Sequence, residues 1–165
     1  MFKKLKEKLS NKESNNILLS SPIEGEAVSI KNVNDPTFAE EMLGKGIAII
    51  PNKGRVVAPI DGEITILFET KHAVSLVSDN GVEILIHIGL DTVNLKGEHF
   101  TSNVAVGDKV KSGDLLIEFD LEKIKEAGYD TITPMVVCNT SEFADVKENI
   151  VGQVKELDKV VEIIK

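Results

Sequence analysis

A repeated motif constrains the fold of this chain more than any other feature of the sequence. Residues 21–26 read SPIEGE and residues 58–63 read APIDGE, and a short alternating segment follows each copy, at 27–30 and 64–67. Proline and glycine interrupt regular structure, whereas alternating apolar and polar residues are typical of a strand with one buried face. The repeat therefore indicates a duplicated β unit.

Turn residues also divide the rest of the chain into short strands. A near-repeat, VGDKV at 106–110 and SGDLL at 112–116, contains Gly-Asp pairs that predict tight turns between very short strands. The last strands are predicted at 131–138 and 160–164. These patterns predict an all-β fold of the turn-rich sandwich type.

Two short segments favour helix. The first is predicted at 38–43, after an Asp-Pro-Thr sequence in which Thr37 is the predicted N-cap. The second is predicted at 121–127, with Asp120 or a neighbour as its cap and Gly128 at its end. No other part of the chain after residue 17 has a clear helical pattern.

The chain of 165 residues is long enough for one well-buried domain, which we expect at 17–165. Its formal net charge of −8 argues against nucleic acid as a partner and favours basic protein partners. No signal peptide and no apolar run near 18 residues is found, so we expect a cytoplasmic protein. The single cysteine, Cys138, lies in an apolar run and is predicted to be buried.

The first sixteen residues have a different character. Residues 1–16 contain five lysines and two glutamates, a local net charge of +3, and Met1, Phe2, Leu5 and Leu9 share one helical face. Such a basic amphipathic segment could rest on anionic lipid. The alternative is a frayed, solvated tail, because chain termini are usually poorly ordered.

Residues 68–91 predict a β-hairpin that carries two histidines. The second arm alternates, so that Val82, Ile84, Ile86 and Ile88 form an inward apolar face and His87 points outward. An Asn-Gly pair, the strongest short hairpin signal, lies between the arms.

The loop length decides which residue lies opposite His87. A two-residue loop places Val74 opposite His87, with His72 as a diagonal neighbour, whereas a four-residue loop places His72 directly opposite. Both even-length loops put the two imidazoles on one face. A three-residue loop with a bulge would disturb that register.

The predicted outer face of the hairpin is unusually apolar. It carries Phe68, Thr70, His72, Val74 and Leu76 on one arm and Leu85 and His87 on the other. A monomer does not normally leave such a patch in water, so we interpret it as a docking surface with chemistry at its centre.

Three kinds of chemistry use a pair of histidines. Catalytic zinc usually takes three protein ligands, and no H-x-H or H-E-x-x-H partner is present, so the pair is an incomplete metal site. Acid–base catalysis on a small molecule calls for a deep polar pocket, which nothing in the sequence requires. Phosphoryl transfer fits better: His87 would be the nucleophile, His72 would bond the phosphoryl oxygens, and Thr70 would fix the tautomer of His72.

At these residues the chain resembles the enzyme IIA component of the glucose family of the bacterial phosphoenolpyruvate-dependent sugar phosphotransferase system. The resemblance covers nearly the whole chain after the lysine-rich tail. It is carried by SPIEGEAV at 21–28, DPTFAEEMLGKGIAI at 35–49, VVAPIDGEI at 56–64, ETKHAVSL at 69–76, SDNGVEILIHIGLDTVNLKGE at 78–98, VGDKVKSGDLLIEFDL at 106–121 and the Thr-Pro of TITPMVV at 131–137.

The resemblance implies an antiparallel β-sandwich of the duplicated hybrid-motif type and a phosphotransferase activity with a phosphohistidine intermediate. His87 would carry the phosphate on Nε2, His72 would stabilise it, and Thr70 would bond His72. The donor would be the phosphohistidine of the small carrier HPr, and the acceptor a cysteine on the IIB domain of a sugar permease.

The resemblance also implies an apolar docking ring that includes Phe38, Phe68, Leu85 and Val93, with Asp91 at its border. Leu85 stands where some relatives carry an aromatic residue. No cofactor is expected for the chain alone. Zinc is expected only in a complex, held by both histidines and a partner's carboxylate.

Three other classes of protein share parts of this pattern. A zinc peptidase on a similar duplicated fold would need a further histidine and aspartate ligand set. A biotinyl or lipoyl carrier would need a modified lysine in a Met-Lys-Met-type hairpin, which is absent. A regulatory module that docks on transporters or kinases through the same face is compatible with the relay role.

Overall fold

The computed structural model describes residues 16–165, which form fourteen short strands and two α-helices. The strands are β1 (Ile17–Ser20), β2 (Gly25–Ser29), β3 (Lys45–Pro51), β4 (Arg55–Val57), β5 (Gly62–Leu67), β6 (Ala73–Ser78), β7 (Glu83–His87), β8 (Phe100–Ser102), β9 (Lys109–Val110), β10 (Leu115–Phe119), β11 (Thr133–Val137), β12 (Asp145–Glu148), β13 (Gly152–Val154) and β14 (Lys159–Ile164). The helices are α1 (Pro36–Ala39) and α2 (Leu121–Glu126).

All strand pairs are antiparallel. Eight strands form the largest sheet, in the order β13-β2-β3-β11-β7-β6-β5-β9, and two three-stranded sheets, β1-β14-β12 and β4-β10-β8, accompany it. None of these sheets closes into a barrel. The prediction of an antiparallel all-β fold is confirmed, as a sandwich rather than a barrel.

The duplication predicted from SPIEGE and APIDGE appears as reciprocal hydrogen bonds. Ser20 N donates to the Pro59 carbonyl (2.9 Å), and Val57 N donates to the Pro22 carbonyl (2.8 Å), so each copy is bonded to the other. Strand β2 begins at the glycine of the first copy and β5 at the glycine of the second, and each strand lies second from an end of the eight-stranded sheet. The two copies therefore occupy matching places in one sheet.

Two turns belong to the same duplication, although a sequence repeat predicted only the first of them. Lys111 N donates to Asp114 Oδ2 at 2.8 Å, and Lys155 N donates to Asp158 Oδ2 at 2.8 Å. The carbonyls of these two aspartates then accept from Ala58 N and Ser21 N, the first residues of the two repeated motifs.

The main core fills the space on one face of the large sheet. It includes the predicted inward face of the hairpin, since Val82, Ile84, Ile86 and Ile88 are all 0–1% exposed. A second, smaller cluster lies on the opposite face, where Phe38 from α1 packs with Ala48 and Val136. Alternation along β3 and β11 explains this division, because neighbouring residues of a strand point to opposite faces.

Both predicted helices are present, although the first differs in its bounds and cap. The Asp35 carboxylate, not the Thr37 hydroxyl, caps α1 by accepting from Thr37 N (3.0 Å), and Pro36 holds the first helical position. Proline is common at that position because its φ is already helical and because an N–H there would have no partner within the helix. The second helix has the predicted Asp120 cap, and Gly128 follows it with φ +92°.

Cys138 is exposed, contrary to the prediction of a buried thiol. Strand β11 ends at Val137, one residue earlier than the predicted strand, so the thiol lies beyond the buried part of the apolar run. Within residues 16–165, no helix has the length and apolar character needed to cross a membrane. The predicted tail lies outside the described residues except for Asn16, whose side chain donates to Glu162 (2.9 Å).

Candidate functional site

The histidine hairpin has a three-residue loop, so both even-length registers were wrong. Strands β6 and β7 pair with Ala73, rather than Val74 or His72, opposite His87. The loop residues 79–81 are enclosed by Ser78, whose carbonyl accepts from Gly81 N (3.0 Å) and whose hydroxyl accepts from Val82 N (2.9 Å). Gly81 has φ +85°, which is typical of the last residue of a three-residue hairpin loop.

The two imidazoles nevertheless meet, by a different route. His72 lies just before β6, where Lys71 has φ +58° and turns the chain, and the His72 carbonyl accepts from Ile88 N (2.7 Å). The ring centroids of His72 and His87 are 5.0 Å apart, and the ring planes are nearly perpendicular at 83°. A local left-handed residue thus brings together side chains that the strand register alone would separate.

His87 is half-buried, and one of its ring nitrogens is fixed by the backbone. Its Nδ1 lies 2.7 Å from the carbonyl oxygen of Gly89. Because a carbonyl only accepts, Nδ1 must carry the proton, and neutral His87 keeps its lone pair on Nε2. Burial lowers the pKa of His87 below 6.5, although the Gly89 bond and the carboxylates of Asp35 and Asp91 act in the opposite direction. At neutral pH, His87 therefore presents an uncharged nucleophilic nitrogen.

His72 is only 3% exposed and is held by Thr70. The distance from Thr70 Oγ1 to His72 Nδ1 is 2.6 Å, as predicted for the pair, and the hydroxyl can donate or accept in this bond. Burial, together with the charge that His87 would carry if protonated, lowers the pKa of His72 to about 4. Both rings are consequently neutral near pH 7.

Two phenylalanine rings pack beside the two histidine rings. The ring of Phe38 lies 5.2 Å from that of His87, and the ring of Phe68 lies 5.2 Å from that of His72. Phe68 is 41% exposed, whereas Phe38 is only 4% exposed and packs against His87 from the buried side. Of the predicted docking residues, Phe68 and Phe38 thus have different roles: one offers surface and the other supports the ring.

The remaining predicted docking residues also differ in whether they are accessible or buried. Val93 and Asp91 are exposed and Leu85 is half-buried, which leaves them accessible to a partner. Val74 is fully buried in the main core, so its prediction as a docking residue was wrong. The shift of the register by one residue explains this error, because a one-residue shift moves a side chain to the other face of the sheet.

Asp35 is a site residue that no pattern in the sequence predicted. It caps α1, and its carboxylate also lies close enough to His87 to raise the pKa of that ring. The Asp-Pro-Thr sequence indicated the start of a helix, but no local signal showed that this helix start lies beside a histidine 52 residues away (87 − 35 = 52). Asp35 and Asp91 together make the surroundings of His87 acidic.

The histidine pair alone offers two ligands for a metal. Among residues 16–165, no group of three or more histidine, cysteine, aspartate and glutamate side chains is placed to hold a metal ion. Two imidazole nitrogens fit zinc as a partial set, because zinc usually takes four ligands. A third protein ligand would have to come from another molecule.

The fold and the site define a class of protein: a duplicated antiparallel β-sandwich with two neutral imidazoles side by side, one half-buried with an unprotonated ring nitrogen and the other buried. Comparisons with known proteins identify the family. The model of the family described as phosphoenolpyruvate-dependent sugar phosphotransferase system, EIIA 1, matches residues 17–143. The chain belongs to this family and is a component of that phosphotransferase system.

Relatives of two architectures match the chain. A PTS system glucose-specific EIIA component of Oceanobacillus iheyensis is 46% identical over 154 residues, which cover 93% of each protein. A PTS system beta-glucoside-specific EIIBCA component of Bacillus subtilis is 49% identical over 148 residues, which cover 90% of this chain and 23% of that protein. The structure of glucose permease IIA from Mycoplasma capricolum matches with a TM-score of 0.82 at 36% identity, covering 89% of this chain and 95% of that one.

Proposed function

We propose that this protein is a phosphoryl carrier in which His87 accepts a phosphoryl group from the phosphohistidine of HPr and passes it to a cysteine on the IIB domain of a sugar permease. The observation that carries the proposal is the bond between His87 Nδ1 and the Gly89 carbonyl, which leaves Nε2 unprotonated. The second imidazole, 5.0 Å away, supplies a group that can bond the transferred phosphoryl oxygens.

In the first step, the Nε2 lone pair of His87 forms a bond to phosphorus while the P–N bond of the donor breaks and its electron pair returns to the donor's imidazole. The proton on Nδ1 of His87 stays hydrogen-bonded to the Gly89 carbonyl. Phosphoryl transfer depends mainly on positioning and on stabilising charge on the equatorial oxygens. Two neutral rings held by fixed hydrogen bonds supply the positioning.

His72 stabilises that charge if its free nitrogen carries a proton. Thr70 provides this arrangement when its hydroxyl donates to His72 Nδ1, because the imidazole proton then resides on Nε2. The low pKa of His72, about 4, keeps the ring neutral before the phosphoryl group arrives, so the ring approaches it as a hydrogen-bond donor.

In the second step, a cysteine thiolate of the IIB domain attacks phosphorus, the P–N bond breaks, and the electron pair returns to His87 Nε2. The EIIBCA relative supports this partner, because its printed name combines EIIA with EIIB in one chain. HPr as donor rests on the resemblance of the motifs around His72 and His87. This relay would take place in the cytoplasm.

The docking surface proposed for both partners consists of Phe68, Leu85, Asp91 and Val93. Phe68 packs beside His72, and the carboxylates of Asp35 and Asp91 lie near enough to act on the charge of His87. A partner with an apolar patch and a basic side chain complements such a surface. A regulatory target could use the same face. A partner carboxylate placed over the two imidazoles would complete a zinc site in that complex.

Incubation with phosphoenolpyruvate, enzyme I and HPr tests the relay. We expect one acid-labile phosphate on the wild-type chain, none on His87→Gln, and normal labelling of a His99→Gln control. His99 lies just before β8, distant in sequence from the paired rings, and its ring lies near the carboxylate of Glu98 rather than near either of them. Labelling of the His87→Gln variant at the wild-type level would contradict the proposal.

A further inference from the structure

We propose that Thr92 is a positioning residue that selects the tautomer of His87 by holding the backbone around Gly89. Its importance for phosphoryl transfer rests on the function proposed above, whereas its effect on the tautomer does not. The inference comes from three contacts that converge on one short loop, residues 88–92.

Thr92 is fully buried although it begins a 3₁₀ helix, Thr92–Leu95, next to an exposed segment. Its hydroxyl donates to the carbonyl of Ile88 (2.5 Å), four residues back along the chain. That carbonyl belongs to the peptide group between Ile88 and Gly89. The hydroxyl therefore fixes the peptide plane that enters Gly89.

The peptide plane that leaves Gly89 is fixed from the other side. Leu90 N donates to the Asp130 carbonyl (3.0 Å), and the oxygen of the same peptide group, Gly89 O, accepts the Nδ1 proton of His87 (2.7 Å). The Gly89 carbonyl, which selects the tautomer, is thus oriented by two hydrogen bonds. One is made by the Leu90 N–H of the same peptide group, and the other is made by the Thr92 hydroxyl to the preceding peptide group.

The Thr92 side chain also packs closely beside Gly89. Gly89 has φ +72°, and a Cβ atom at this position would lie 2.7 Å from Thr92 Cγ2 and 2.8 Å from the Asp130 carbonyl oxygen. Both the methyl and the hydroxyl of Thr92 therefore act on the loop, the methyl by contact and the hydroxyl by a hydrogen bond. Valine would preserve the methyl contact and remove only the hydrogen bond.

The tautomer matters because the two neutral forms of an imidazole place the lone pair on different nitrogens. With Gly89 O in place, the form with the proton on Nδ1 is favoured and Nε2 is free. If the peptide rotates, the bond to Nδ1 is lost and the form with the proton on Nε2 gains population. That form cannot attack phosphorus through Nε2.

The experiment uses long-range proton–nitrogen NMR spectra of the full chain labelled with nitrogen-15. The chain contains three histidines, so His72→Gln, His87→Gln and His99→Gln spectra assign each ring. We compare the wild type with Thr92→Val, Thr92→Ser and Thr140→Val at pH 7.5. Thr140 is a matched control, because its hydroxyl also donates to a nearby backbone carbonyl, that of Val137, outside this loop.

We expect Nδ1 of His87 to be protonated in the wild type, in Thr92→Ser and in Thr140→Val. In Thr92→Val, the fraction of His87 with a protonated Nε2 should rise at least several-fold. The rate of labelling from HPr should fall about tenfold in Thr92→Val and recover in Thr92→Ser. If the valine variant does not fold, Thr92→Ala takes its place in the same comparison.

Three results would overturn the inference: a wild-type His87 protonated on Nε2, an unchanged tautomer in the variant without the hydroxyl, or an equal change in Thr92→Ser. Failure of the proposed function gives a different pattern. In that case the wild type is not labelled by HPr, while the tautomer of His87 still responds to Thr92.

Discussion

The repeated framework and the histidine site are built by different rules, although they share one sheet. The turns at 110–114 and 154–158 keep the same hydrogen bond, from a lysine N–H to an aspartate carboxylate, although the two residues between them differ, so that Gly113 (φ +93°) in one turn corresponds to Leu157 (φ +76°) in the other. Because the residues between the lysine and the aspartate do not make this bond, the framework tolerates their replacement at a modest cost in stability.

The histidine site, in contrast, is built once and depends on particular side chains. His72 is held by the Thr70 hydroxyl, and His87 is held by a carbonyl that the chain around Gly89 orients. Substitutions at the site should therefore change phosphoryl transfer by large factors, whereas substitutions in the framework should change only the free energy of unfolding.

Replacing His72 by glutamine should leave His87 able to accept phosphate and slow onward transfer to the IIB domain by about 10²- to 10³-fold, as expected when one preorganised donor to a developing negative charge is lost. Single-turnover transfer from the phosphorylated variant measures this effect. His99→Gln serves as the control. An onward rate within twofold of the wild type would show that His72 does not act on the phosphoryl group.

The low pKa of His72 makes a specific prediction about stability and pH. The unfolded His72 takes up a proton below pH 6.5, whereas the folded one does so only near pH 4, so the folded state loses stability as pH falls between these values. A shift from 6.5 to about 4 corresponds to roughly 3 kcal/mol.

Urea denaturation of the wild type and of His72→Gln between pH 7.5 and 4 isolates this contribution. Carboxylates titrate in both proteins, so only the difference between the two curves reports on His72. The wild type should lose roughly 3 kcal/mol more than the variant across this range. Parallel curves would mean that His72 is protonated as easily in the folded chain as in the unfolded chain.

Gly89→Ala should destabilise the protein by about 2 to 3 kcal/mol, because a Cβ there meets both Thr92 and Asp130 and the residue has a positive φ. Gly107→Ala is the matched control. Gly107 has φ +95°, and a Cβ added there would have no atom within 4 Å, so its substitution should cost only about 1 kcal/mol. Equal losses in urea denaturation would show that the loop around Gly89 is not tightly packed.

Leu157→Gly should stabilise the protein by about 0.5 to 1 kcal/mol, the smallest effect of the series. Leucine at φ +76° carries the strain of a left-handed backbone, and the equivalent turn already has glycine. Leu157 is 52% exposed, so the loss of its buried half offsets only part of the gain from the relieved strain. A destabilised variant would show that the packing of the Leu157 side chain outweighs the relieved strain.

Local patterns were sufficient to predict much of the fold. The alternation at Val82–Ile88 predicted the buried face of β7, the repeats predicted the duplication, and the cap at Asp120 predicted α2. The pairing of Thr70 with His72 followed from their spacing of two residues. These features depend on neighbours in sequence, which periodicity reveals.

Features that depend on long-range packing or on single backbone angles were not predictable in the same way. The hairpin register required the Ser78 hydroxyl to close a three-residue loop, and this one-residue difference moved Val74 into the core. The role of Asp35 required α1 to pack against β7, and the meeting of the two rings required a positive φ at Lys71. No periodicity in the sequence encodes these arrangements.

The position of the phosphate on the His87 ring tests the central claim most directly. Phosphorus-31 and nitrogen-15 NMR of the labelled, phosphorylated chain identifies the bonded nitrogen through its coupling to phosphorus. The hydrogen bond from Nδ1 to Gly89 predicts coupling to Nε2 of His87 alone. Coupling to Nδ1, or to a nitrogen of another histidine, would contradict the account.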